Sequence, residues 1–259
     1  MVGQPPMSRV TATCSARVTT IVALAILFLV SFPAAAQQTY VTKYDLYTGY
    51  AFLNSPKIGL FENGFHTQFG LRPKPWLSFG IDYSITAGDL TFTPDLLPTA
   101  LQQQLGAQLA HLIALGVIPP NYTLSVPAHS VTHSFAIGPQ LAYRHFSKAT
   151  FFVRPSVGAI REGATPRPKD PIAAGIVAQL APAGHKTDWQ GFYGIGGGFD
   201  ILFTKHFALR TQADYVWDHL FNDLLRDGRW TTRFSIGPCF NFGRNIMEKK
   251  TAQSKPAKK

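Results

Sequence analysis

Eight segments of the chain alternate between apolar residues and small or polar residues, and this pattern constrains the fold more than any other feature. In TRFSIGPCFNFG, residues 232–243, every second residue is apolar or proline, and those between are small or polar. Side chains point alternately to the two faces of a β-strand, so period two predicts strands whose faces meet different surroundings. The segments are 44–53, 63–72, 76–86, 133–145, 150–160, 189–203, 207–218 and 232–243.

The links between these segments alternate between short and long. Segments two and three, four and five, and six and seven are joined by Pro-Lys-Pro, Phe-Ser-Lys-Ala and Thr-Lys-His. The other links are longer, and the longest spans 87–132. An up-and-down antiparallel meander with two unlike ends has this arrangement. We therefore expect an all-β fold, an eight-stranded antiparallel up-and-down β-barrel.

The polar face of the segments carries few charges, set among Gly, Ser and Gln residues. Such a face is too sparse and too rich in glycine for a solvated exterior, and it suits a narrow barrel interior. The apolar face would then contact lipid, which makes the barrel transmembrane; a soluble lipocalin-like barrel is the alternative. The residues predicted to form a charge network in the lumen are Arg72, Asp82, Arg144, Arg154, Asp200, Arg210, Asp214 and Arg233.

Large aromatic residues lie near both ends of the predicted strands. Trp189, Trp217 and Trp230 fall beside long links, whereas Trp76, Phe240 and Phe242 fall beside short ones. Aromatic girdles mark the two interfaces of a membrane barrel. We interpret these six residues as two girdles.

Three stretches resemble a known family. GYAFLN, the span from ENGFHTQFG to WLSFGIDYS, and FSIGPCFNFG are similar to strands of small outer-membrane β-barrel proteins of the outer-membrane protein A and X type. The resemblance covers 44–243. It implies periplasmic short turns and extracellular long loops. We also expect a monomer, with outer-membrane lipid and the outer-membrane assembly machinery as partners.

The two termini differ in composition from the barrel region. Arg9 and Arg17 precede an apolar run of about a dozen residues at 21–32, and an Ala-x-Ala site follows at 34–36. We predict a cleaved signal peptide at 1–36 rather than a membrane anchor, which needs about 20 apolar residues. The barrel domain is 37–243, and 244–259 is a basic tail that we expect to be disordered and periplasmic. Lysines in the tail make anionic cell-wall polymer a candidate partner.

The predicted export and charge distribution exclude several functions. Cys239 is the only cysteine left after signal removal, so no intrachain disulfide is possible. Six of the 24 Lys and Arg residues lie in the last 16 residues, so much of the net positive charge belongs to the tail and not to the barrel region. This distribution disfavours nucleic acid as a partner.

Catalysis has little support in the sequence. His129 and His133 are four residues apart, about 13 Å along a strand, too far to share a metal ion. Some outer-membrane barrels modify lipids with His and Ser on one outer face, whereas Ser130 and Ser134 point away from these histidines. We expect no enzyme activity, cofactor or metal.

The narrow lumen predicts a filled interior. Around a turn at 204–206, Asp200 lies opposite Arg210, and a salt bridge is favoured over an ion-selective constriction. The lumen is therefore expected to be plugged.

Two apolar segments in the long loops are predicted helices. The first, 99–116, carries Leu101, Leu105, Leu109 and Leu112 at helical spacing, and the second is 171–182. They either pack together over the barrel mouth or form a site for an apolar ligand, a lipid or a partner surface. A structural or surface-interaction role is favoured; capture or transport of a small apolar compound is the alternative, and a lipid-modifying enzyme is third.

Overall fold

Eight antiparallel strands close into one barrel in chain order, each paired with the next and the last with the first. The computed structural model describes residues 38–225 and 228–247. The strands are β1 Thr42–Ser55, β2 Leu60–Lys74, β3 Leu77–Phe92, β4 Val126–Tyr143, β5 Ala149–Pro166, β6 Lys186–Leu202, β7 Phe207–Asp218 and β8 Arg229–Asn245. The predicted all-β, eight-stranded fold is confirmed.

The observed end of the last strand can be compared with the predicted end of the barrel domain at residue 243. Strand β8 continues to Asn245, two residues past the predicted end of the barrel. The predicted signal peptide and residues 248–259 of the predicted tail lie outside the described residues.

The strands are longer than the alternating segments predicted. Strands β3 to β6 have 16, 18, 18 and 17 residues, whereas about 9–11 residues cross a hydrocarbon layer. Tight turns hold the other ends, so the excess projects at the long-loop end. The wall is therefore tallest beneath the two longest loops.

Each of these two loops contains a helix. Helix α1 is Thr99–Ala114, and Gly116 follows with a φ of 68°, in the left-handed region. Helix α2 is Pro171–Leu180; Pro171 starts it, and the Asp170 carboxylate accepts a hydrogen bond from the N–H of Ala173. None of the described helices is long and apolar enough to cross a membrane.

The two faces of the wall have opposite chemistry. Outward side chains such as Phe65 and Tyr193 are 62% and 57% exposed, whereas the inward Arg154 and Arg210 are 1% and 0% exposed. In a soluble barrel the large apolar side chains would be the buried ones. The orientation of the alternation is thus the one expected from the sequence.

Glycines in β6 make room for charged side chains in the lumen. Gly196 lies opposite Asp214 in the β6–β7 ladder. A Cβ at Gly196 would sit 1.9 Å from Asp214 Oδ1, closer than any real contact allows. The run GIGGGFD therefore fits a strand packed against a filled interior.

Two prolines interrupt the ladder between β4 and β5. Ile137 pairs with Val157 and Leu141 with Val153, so Pro139 lies opposite Pro155. Neither proline has an N–H to donate, and the ladder lacks its pairs at this level. Closure depends here on the strands' other contacts.

Candidate functional site

The lumen near the short turns is crossed by a chain of ion pairs. Arg210 Nε and Nη2 donate to the two oxygens of Asp200 at 2.7 and 3.0 Å, and Nη1 donates to Asp45 at 3.1 Å. Arg72 Nη2 lies 2.9 Å from Asp45 Oδ2. Asp200 on β6 lies directly opposite Arg210 on β7 in the strand register. Asp45 extends the ion pairing to a third strand, β1.

Aromatic rings enclose the Arg210 guanidinium. Its Cζ lies 5.1 Å from the centroid of Phe152 and 5.6 Å from that of Tyr47. Cys239 and Ala208 pack beside Tyr47, and Cys239 is 0% exposed. Cys239 thus occupies the barrel interior as a small filler.

Arg144 lies below this network, at the mouth of the lumen. It follows the end of β4 and donates to the carbonyl of Pro75 at 2.8 Å and to Thr150 Oγ1 at 3.0 Å. Gln38 Nε2 also donates to Thr150 Oγ1, at 2.9 Å. Among the described residues Arg144 joins no ion pair, so its contacts differ from the other predicted network members.

A second layer lies at mid-height. Arg154 pairs with Asp82, and Arg233 Nη2 lies 2.8 Å from Asp214 and 3.6 Å from Asp82. Arg233 Nη1 also donates across the barrel to Ser84 Oγ, at 3.0 Å. These bonds join β8 to β3 and β5 to β3 through the interior.

A third layer, near the long loops, was missed from the sequence. Arg229 bonds to Glu162 and donates to Asp218 Oδ1 at 2.9 Å. Glu62 accepts from the hydroxyls of Thr86, at 2.6 Å, and Thr132, at 3.0 Å. Each charged member of this layer stands an even number of residues from another inward-facing side chain of its strand. Asp218 ends the predicted segment 207–218, and continuing the alternation past the ends of the other segments would have found Glu62, Glu162 and Arg229.

Ionic side chains lie at three successive heights of the lumen. Six of its seven buried carboxylates take part in ion pairs, and Glu62 is the exception among the described residues. A buried charge costs several kcal/mol unless paired, so the pairing accounts for their retention. The buried ionic residues are Asp45, Glu62, Arg72, Asp82, Arg154, Glu162, Asp200, Arg210, Asp214, Asp218, Arg229 and Arg233.

A serine, a histidine and an aspartate also meet in the middle layer. His66 Nδ1 lies 3.0 Å from Ser235 Oγ, and His66 Nε2 lies 3.6 Å from Asp82 Oδ2. The order matches a nucleophile, base and orienting carboxylate. However, Ser235 and His66 are 0% exposed within the packed lumen, so an external substrate has no access to the hydroxyl.

The outward histidines have other partners. His129 Nδ1 lies 2.9 Å from Asp89 Oδ1, and His133 Nδ1 lies 2.7 Å from the Tyr83 hydroxyl. Ser130 is instead buried on the inward face. No cluster suited to a metal ion occurs within 38–225 and 228–247.

The long-loop end of the lumen is closed by apolar side chains. Leu60, Leu220 and Phe221 belong to one buried cluster above the third ionic layer. Phe221 has a φ of +54°, which is rare for a residue with a Cβ, and its N–H donates to Asp188. The surrounding contacts hold Phe221 in this conformation.

A cavity of about 80 Å³ lies between this cluster and the two helices. Its lining is almost wholly apolar, with Lys186 at its edge in an ion pair with Asp223. The side chains that define it include Phe92, Leu105, Leu124, Ile176, Leu180 and Phe221. We call this the cap cavity.

The predicted apolar face of α1 is divided by the fold. Leu105 is buried, lines the cap cavity and belongs to a second apolar cluster, against which Leu101 and Leu109 pack. Leu112 is half-buried and lies one turn beyond. Ala173 and Ile176 of α2 belong to that cluster, so the two helices share one apolar contact region.

A tyrosine and an aspartate tie the start of α2 to the neighbouring loop. The Tyr122 hydroxyl donates to Asp170 Oδ1 at 3.0 Å. The N–H of Ala173 and then this hydroxyl hold the pKa of Asp170 below its usual value. Asp170 therefore favours the charged form that caps the helix.

The six aromatic residues predicted as girdles lie on the outer wall. Trp76 is 52% exposed beside the β2–β3 turn, and Phe242 stacks on Tyr44 with centroids 5.6 Å apart. Phe240 contacts the ring of Phe207 at the same end. Near the long loops, Trp230 stacks on Tyr215 at 4.3 Å and also contacts Trp217, and Trp189 is 58% exposed.

Comparison with solved structures finds outer-membrane barrels. Ail, the attachment invasion locus protein of Yersinia pestis, solved with the heparin analogue sucrose octasulfate, is 11% identical; the match covers 78% of this chain and 99% of that one, with a TM-score of 0.44. Neisserial surface protein A is 10% identical over 77% of this chain and 96% of that one, with a TM-score of 0.47.

A major outer membrane protein from Thermus thermophilus is 8% identical over 77% of this chain and 99% of that one, with a TM-score of 0.45. Neither a protein-family model nor a curated protein matches the chain. These likenesses concern the fold alone.

Proposed function

We propose that this chain is an integral outer-membrane β-barrel without enzyme activity or an open pore, with a structural or surface-interaction role carried by its long loops. The observation that carries the proposal is the reversal of the two faces. Phe79, Ile81 and Phe135 project from the middle of the wall and are each about half exposed. A closed barrel with such a wall satisfies its backbone internally and can lie in lipid.

The charge layers support a closed lumen. Arg210, Arg154 and Arg229 lie at three successive heights and each engages a carboxylate across the interior. An ion crossing the lumen would have to separate these pairs in a low-dielectric environment, which is costly. An eight-stranded barrel is about wide enough for its own side chains.

Two measurements test this proposal. The folded chain should partition into detergent and migrate differently on gels before and after heating, and planar bilayers should show no steady large conductance. A chain that stays in the aqueous phase contradicts the membrane placement, and a steady conductance contradicts the closed lumen.

Capture of a small apolar compound is a second candidate function, supported by the cap cavity. A cavity of about 150 Å³ holds benzene in another protein. At about 80 Å³, the cap cavity would admit the end of an alkyl chain more readily than a ring. The strained backbone of Phe221 at its edge is a feature often associated with binding sites.

Substitutions in α1 distinguish ligand capture from simple packing. Replacing Leu105 and Leu109 with Asp places one charge against the cap cavity, at Leu105, and one against the apolar cluster that borders it, at Leu109. If the cavity binds, the barrel still assembles and loses retention of a fluorescent alkyl probe. Loss of assembly, seen as loss of heat-dependent gel migration, would favour packing alone. Gln103→Asp and Gln104→Asp, at exposed positions of the same helix, serve as a control with equal added charge.

A further inference from the structure

The exposed charges at the two ends of the barrel are distributed differently. Around the short turns every exposed or half-buried Lys and Arg outside the lumen lacks an acidic neighbour in the described part of the chain. These residues are Lys43, Lys74, Lys148, Lys205 and Arg244, which we call the basic collar.

The long-loop end is balanced by comparison. Its described basic residues outside the lumen are Lys57, Arg161, Arg167, Lys169 and Lys186, and its acidic ones are Asp89, Asp95, Asp170, Asp188 and Asp223. The collar thus has five positive charges without an exposed acid, whereas the described part of the other end has five of each sign.

The collar surrounds the barrel. Lys74, Lys148 and Lys205 lie at the β2–β3, β4–β5 and β6–β7 turns, one at each. Lys43 and Arg244 lie where β1 meets β8, so all four corners of this end carry positive charge. A ring of positive charge around one end of the barrel can contact a lipid leaflet that surrounds the barrel, whereas its charges are too widely spaced to bind one compact ligand.

Aromatic rings fix the height of the collar. Lys43 Nζ lies 5.3 Å from the Tyr44 ring centroid, Lys74 Nζ 5.5 Å from that of Trp76, and Lys205 Nζ 5.3 Å from that of Tyr40. Exposed Trp and Tyr rings of a membrane barrel lie at headgroup level, and lysines beside them extend their ammonium groups into the same zone.

We propose that the basic collar docks on the anionic phosphate headgroups of the phospholipid leaflet at the short-turn end. Positive side chains near an anionic leaflet attract it with about a fivefold gain in affinity each. The collar thereby sets the depth of the barrel and enriches anionic phospholipid around it. This inference rests on the proposed membrane placement.

The test uses the full chain folded in vesicles of equal parts phosphatidylglycerol and phosphatidylcholine. The lipid that remains bound after transfer to mild detergent is measured by mass spectrometry. We expect phosphatidylglycerol to be enriched around the unsubstituted chain, and the triple variant Lys74→Gln, Lys148→Gln, Lys205→Gln to reduce that enrichment at least tenfold.

A matched variant removes three positive charges from the other end: Arg161→Gln, Arg167→Gln and Lys169→Gln. It should keep the enrichment. Equal loss in both variants, or no enrichment around the unsubstituted chain, overturns the proposal. Binding of soluble peptidoglycan fragments that the collar variant abolishes, with phosphatidylglycerol enrichment intact, also overturns it and assigns the collar to the cell wall.

Heat-dependent gel migration of each sample separates this inference from the membrane proposal. A chain that fails to insert into the vesicles contradicts the membrane placement. A chain that inserts without preferring phosphatidylglycerol contradicts the collar alone.

Discussion

The two ends of the barrel interior are closed by different chemistry. Near the short turns, Arg210 and its two carboxylate partners join three strands, β1, β6 and β7, through hydrogen bonds of defined geometry. Near the long loops, Leu60, Leu220 and Phe221 close the lumen by apolar contact, and a cavity remains above them. A buried ion pair fixes the orientation of its two side chains, and removing one partner lowers stability strongly. Apolar side chains can repack after a substitution of similar volume with a smaller loss of stability. The short-turn end is therefore expected to be rigid and the cap adaptable.

The largest effect should come from Arg210→Met. The change leaves Asp200 buried without its bidentate partner, which costs about 3–5 kcal/mol. Urea unfolding of the barrel in micelles, followed by tryptophan fluorescence, should show a much lower midpoint. Lys205→Met at the adjacent turn is the control and should leave the midpoint near that of the unsubstituted chain. An unchanged midpoint for Arg210→Met would mean that the ionic layers do not stabilise this end.

Leu105→Ala should weaken the cap without unfolding the wall. Truncating a buried leucine costs about 2–5 kcal/mol, and the low end is expected because Leu105 already borders a cavity. Hydrogen exchange should become faster in α1 and α2 while the strand amides keep their protection. Gln104→Ala on the exposed side of α1 provides the comparison. Faster exchange in the strands as well would show that cap and barrel unfold together.

Glu62→Gln should raise stability slightly. Glu62 is buried, accepts from Thr86 and Thr132, and has no cationic partner among the described residues. Removing its charge relieves desolvation and keeps one hydroxyl contact, so a gain of about 1 kcal/mol is expected. Asp45→Asn, which removes a carboxylate shared by two arginines, should instead lower the urea midpoint. A loss for Glu62→Gln would indicate that the charge itself is needed at this height.

Asp170→Asn should have the smallest effect, and it should depend on pH. The pKa of Asp170 is lowered in the folded cap, so its contribution to stability is present above the unfolded pKa and is lost as pH falls through the folded value. Amide hydrogen exchange in α2 should therefore become faster in the unsubstituted chain as the pH is lowered. In Asp170→Asn the exchange rate should depend less on pH. Equal pH dependence in both would assign the effect to another group.

The sequence was sufficient for the architecture because each strand repeats one simple signal. Alternation located all eight strands, short links ordered them, and the 204–206 turn predicted the pairing of Asp200 with Arg210. The third ionic layer was missed because Glu162 and Arg229 lie where the apolar face fades near the long loops. The outward side chains there no longer need to be apolar, although the inward face continues.

Other features depended on distant segments meeting. The Ser235–His66–Asp82 contact brings together β8, β2 and β3, and no local pattern indicates it. The position of Arg144 was also set by closure of the mouth, where Gln38 and the turn carbonyl of Pro75 provide its partners.

By itself, the sequence determined which residues face outward and which face inward, because backbone geometry makes this a property of each strand. Apart from Asp200 and Arg210, only the tertiary structure decided how the buried charges pair across the lumen, because partners such as Arg154 and Asp82 come from strands far apart in the chain. It also decided that two loop helices border the cap cavity, since the volume left between apolar surfaces depends on how separate elements pack.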